Sequence, residues 1–139
     1  MFNFYRPGYI APGSETGAAG MTVPELQITN SSSVVGYTNF LSFFAFGDAQ
    51  YGNASQKTSF IPDYSGELPL ASNPDALIDR LDLELTAGAM STETRNNIKQ
   101  VLATIPLTNE TDPNYDGPGL RVSMAIVLTM TSPDYIVQR

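Results

Sequence analysis

The chain is 139 residues long, with 42% hydrophobic and 15% charged residues and a formal net charge of −7, which suits one folded domain and argues against disorder. It contains no His, Cys or Trp, so imidazole bases, thiol nucleophiles, disulfides and the usual zinc, copper, haem and iron–sulfur ligand sets are excluded. The acidic balance argues against nucleic acid as a partner, because that binding rests largely on Lys and Arg neutralising phosphates.

The first 24 residues carry Gly8, Gly13, Gly17 and Gly20 with Pro7, Pro12 and Pro24, and such residues resist regular structure. Residues 1–30 are therefore expected as an extended arm, and residues 31–139 as the helical core. The arm also holds Phe2, Phe4, Tyr5 and Tyr9. Aromatic side chains gain nothing in water, so the arm is expected to pack on something. No basic stretch followed by an apolar run marks a signal peptide here.

Pro24 opens a short helical turn through Ile28, and Asn30, Ser31, Ser32 and Ser33 offer caps for the next helix. Apolar residues then recur at three- and four-residue spacings from Val34 to Ala45, predicting a helix over 33–46 that ends at Gly47. Phe43 and Phe46 widen its apolar surface, which places it at the centre of the core. The run is interrupted by Gly36, Thr38, Asn39 and Ser42 and is too short to span a bilayer, so no membrane partner is expected. Residues 47–72 read as a long loop, with a short strand or turn near Phe60 and Ile61.

Asn73 and Pro74 start a helix over 74–87 whose apolar face is Leu77, Ile78, Leu81 and Leu85. Ser91 starts another, over 92–105, with Ile98, Val101, Leu102 and Ile105 on one face and Pro106 as its stop. The short connection between them makes the two antiparallel neighbours. After a polar loop, residues 120–130 are apolar nearly all round. They fit a buried strand or a buried helix, and their length without a pairing strand favours a helix over 119–131. Ser132, Pro133 and Asp134 begin a last short helix. The fold class is all-α: an irregular domain of about four to five helices with an extended arm and long loops.

Candidate chemistry is sparse. Asp112-Pro113-Asn114-Tyr115-Asp116-Gly117 matches the first half of a calcium loop, with Asp112, Asn114 and Asp116 as the ligands. Position twelve, however, is Ser123 instead of a bidentate Glu. The same residues suit an ordinary solvated turn. Asp75, Asp79 and Asp82 share one helix face, as paired carboxylates in hydrolases do, but Arg80 and Glu84 at i, i+4 mark a solvated, charge-decorated surface. Without His, a serine nucleophile would need Lys57 or Lys99 as its base, and neither lies in a supporting pattern. No phosphate-cradling glycine loop occurs. The chain thus holds no catalytic constellation, and neither a metal nor a cofactor is implied.

Several clusters do resemble a known family. Phe2-Asn3-Phe4-Tyr5-Arg6-Pro7-Gly8-Tyr9 with Pro12, Pro24-Glu25-Leu26-Gln27-Ile28 with Asn30, and Tyr37-Thr38-Asn39-Phe40 resemble the start of its C-terminal region. Leu81-Asp82, Gly88-Ala89-Met90-Ser91, Thr94-Arg95 with Ile98, Arg121-Val122 through Ala125 and Leu128, and Thr131-Ser132-Pro133-Asp134-Tyr135 to Gln138-Arg139 continue the likeness. The family is the bacterial domain of unknown function 1800 (DUF1800). The resemblance implies a C-terminal helical module of a longer, exported protein, with the upstream region of the same polypeptide as its partner; with its aromatic arm left without that region, the isolated piece is expected to self-associate or to have a poorly ordered arm. It carries over no catalytic residue. A second reading makes the chain one wall of an envelope- or polymer-acting enzyme's site, with Arg6, Glu25, Gln27 and Asn30 as wall residues. A third is a calcium-dependent binding module.

Overall fold

The computed structural model describes residues 6–28, 30–47 and 62–136, with Glu25 by its backbone alone. Among the described residues all regular structure is helical. It comprises α1 (Glu15–Ala18), a 3-10 turn (Pro24–Ile28), α2 (Ser31–Phe46), a second 3-10 turn (Leu68–Leu70), α3 (Pro74–Leu85), α4 (Thr92–Thr104), α5 (Gly117–Met130) and α6 (Pro133–Ile136). The all-α expectation holds, with four helices longer than a single turn among the described residues. The chain divides into two compact units, Met1–Tyr37 and Thr38–Arg139.

The glycine- and proline-rich segment of the first unit carries local structure that its composition does not announce. Ser14 caps α1 by accepting the Gly17 N–H at 2.9 Å, and its hydroxyl donates to the Ala11 carbonyl at 2.8 Å. The Val23 N–H bonds the Tyr9 carbonyl at 2.8 Å, returning the chain on itself, and Ala11 and Val23 are buried. The aromatic residues Phe2, Phe4 and Tyr5 lie outside the described residues. At the start of α2, Asn30 and Ser33 cap reciprocally: the Ser33 N–H bonds Asn30 Oδ1 at 3.0 Å, and the Asn30 N–H bonds Ser33 Oγ at 2.9 Å. Two orphan donors of the first turn are thereby satisfied.

In the second unit α3, α4 and α5 pack on one another. Their shared core is Leu77, Ile78, Leu81, Ile98, Leu102, Ile105, Val122 and Ala125, joined by Ala71 and Met90. The period of α3 and α4 explains this: each presents one apolar stripe, and two stripes with the nearly uniform α5 enclose a single interior. Residues 120–130 are helical, and α5 begins at Gly117, two residues before the expected start.

Helix α2 corrects the expectation that it is the central core helix. Only Leu41 and Ala45 among its side chains are buried, while Val35 is 59% and Phe40 61% exposed. Its apolar residues are spread around the whole circumference, so no single packing face could cover them. The strand or turn expected near Phe60 and Ile61 lies outside the described residues, as does Lys57.

Candidate functional site

The three aspartates of α3 meet α4 along an interhelical seam. Asp75 bonds Lys99 Nζ through both carboxylate oxygens at 2.7 Å. Arg95 spans two carboxylates, reaching Asp79 through Nη1 and Asp82 through Nη2, the latter at 2.9 Å. Early α3 thus faces late α4, which is the antiparallel arrangement expected from the short connection. The expected pair of Arg80 with Glu84 is present at 2.8 Å, and Arg80 also reaches Glu67 at 2.8 Å. The solvated-surface reading therefore fits the Arg80 side of α3 and also Asp75 and Asp79, which stay exposed while pairing with α4; only Asp82 is withdrawn from solvent.

Asp82 differs from its neighbours in burial: its side chain is 12% exposed against 69% for Asp79. Besides Arg95, its carboxylate accepts the Thr86 hydroxyl and the Met90 N–H, the latter at 2.9 Å. Its carbonyl accepts the Thr86 N–H at 3.1 Å and the Gly88 N–H at 3.0 Å. One residue thus organises the end of α3, the turn and the approach to α4. A carboxylate so fully engaged, beside a guanidinium, ties the end of α3, the turn and α4 together.

The start of α4 is closed from a distance. Asp134 Oδ2 accepts from the Ser91 N–H at 3.0 Å, the Ser91 hydroxyl at 2.7 Å and the Thr94 hydroxyl at 2.6 Å. Its negative charge also sits where the helix dipole favours an anion. The other end of α4 is bound by Arg121, whose Nε donates to the Ile105 carbonyl at 2.8 Å and whose Nη1 donates to the Ala71 carbonyl at 3.1 Å. Sequence reading assigns neither role.

The residues of the calcium-loop pattern are occupied in turns and caps. Asp116 caps α5, accepting the Gly119 N–H through Oδ1 at 2.8 Å. Asp112 Oδ1 accepts the Asn114 N–H at 3.0 Å, a local turn bond. Ser123, at position twelve, is buried within α5. Both glycines are explained by close approach: a Cβ on Gly117 would lie 2.4 Å from the Pro106 and Leu107 carbonyl oxygens, and one on Gly119 would lie 2.1 Å from Asp116 Oδ2. Among the described residues no group of three carboxylates gathers to hold a metal ion.

Of the four candidate wall residues, Arg6 is exposed and its N–H bonds Gln27 Oε1, while Asn30 is the cap of α2. The Glu25 side chain lies outside the described residues. Lys99 is committed to Asp75. Among the described residues no helix is long and apolar enough to cross a membrane. No protein-family model matches the sequence, and comparisons with curated proteins and with solved structures found no match.

Proposed function

We propose that this chain is a non-catalytic helical module, the C-terminal piece of a larger exported bacterial protein resembling the DUF1800 family, and that it works by packing against the upstream region of the same polypeptide. The observation that carries this reading is the apolar surface left in contact with water: Ile28 is 62% exposed, beside the exposure of Val35 and Phe40 already described. Residues 26–47 contain no charged side chain, so burying that stretch against another apolar surface desolvates no charge. Fully burying one such side chain contributes about 1.5–3 kcal/mol, and a few together suffice to anchor a module. Asp75, Asp79, Asp82 and Lys99 are engaged with one another's helices within the fold, which fits a structural role better than a chemical one.

Sedimentation velocity on the 139-residue chain, and on the same chain extended by its upstream region, tests the proposal. The short chain should self-associate with rising concentration, Phe40→Glu should reduce that association, and the extended chain should be monomeric. A short chain that stays monomeric, with the amides of residues 2–9 strongly protected from hydrogen exchange, would overturn it.

A further inference from the structure

We draw no further inference here: the strongest candidate, the apolar surface of helix α2 around Val35 and Phe40, already carries the proposed function, and nothing in the structure shows what covers it.

Discussion

Arg95 Nη2 lies 2.9 Å from Asp82 Oδ2, joining the first turns of α4 to the end of α3. The Met90 N–H depends on the same carboxylate, and the Thr86 hydroxyl reaches it while also meeting the Asp82 carbonyl at 2.9 Å, so its removal strands the Met90 donor and leaves Arg95 with Asp79 alone. Hydrogen bonds to charged groups contribute roughly 1.5–3 kcal/mol each. Asp82→Ala should therefore destabilise the domain by about 2–4 kcal/mol, somewhat less than the roughly 3–5 kcal/mol for breaking a fully buried pair, because the Arg95 side chain keeps some contact with solvent. The exposed Asp79 touches the same guanidinium, yet Asp79→Ala should cost only about 0–1 kcal/mol, because solvent screens it. Urea unfolding of the two variants checks the contrast, and equal losses would refute it.

Leu102 is completely buried between α4 and its two packing partners. Leu102→Ala should cost about 2–5 kcal/mol from lost transfer energy and the cavity left behind. Against a typical total of about 5–15 kcal/mol, that shift is large. A loss below about 1 kcal/mol would show that this position collapses freely or is not packed.

Two glycines should respond in opposite directions. Gly117→Ala forces a methyl group against two backbone carbonyls, and the required backbone shift should cost about 1–3 kcal/mol. Gly36 sits inside α2, and a Cβ added there would meet open space. Gly36→Ala should stabilise α2 by roughly 0.4–1 kcal/mol, since alanine loses less backbone freedom on folding. Thermal melts of both variants decide the matter by the sign of the change.

Because Asp116 is used as the cap of α5, the loop before it should bind calcium weakly at most. Calorimetry should show no dissociation constant at or below about 10⁻⁵ M, the range of calcium sensors. Asp116→Ala should cost about 0.5–2 kcal/mol, as loss of an N-cap does, and the loss should be the same with and without calcium. A calcium-dependent difference in melting temperature would revive the binding-module reading.

Tyr64 donates its hydroxyl to the Ala45 carbonyl at 2.8 Å. Burial pushes its phenol above the ordinary tyrosine value, the Ser123 hydrogen bond pulls it down, and Glu67 adds a further upward push. The folded state therefore holds this proton more tightly than the unfolded chain. Its contribution to stability is complete below a pH of about 10 and declines as pH rises through the folded value. Spectrophotometric titration should show a phenol component ionising above the ordinary tyrosine value, and Tyr64→Phe should remove it. The variant should also lose about 0.5–1.5 kcal/mol at neutral pH with the hydrogen bond.

Local chemistry was legible in the sequence because its causes lie within a few residues. Asn73 and Ser91 bond N–H groups three residues ahead, Pro74 supplies a preset φ, and the stripes of α3 and α4 follow directly from the helical period. Roles set by chain-distant partners were not legible. Asp134 closes a helix that begins some forty residues earlier, Arg121 reaches the Ala71 carbonyl, and Asp82 became a buried hub because α4 brought Arg95 beside it. The same cause explains α2. Its apolar residues declare a preference for burial, but burial needs a second surface, and only the packing of whole helices determines which surfaces meet.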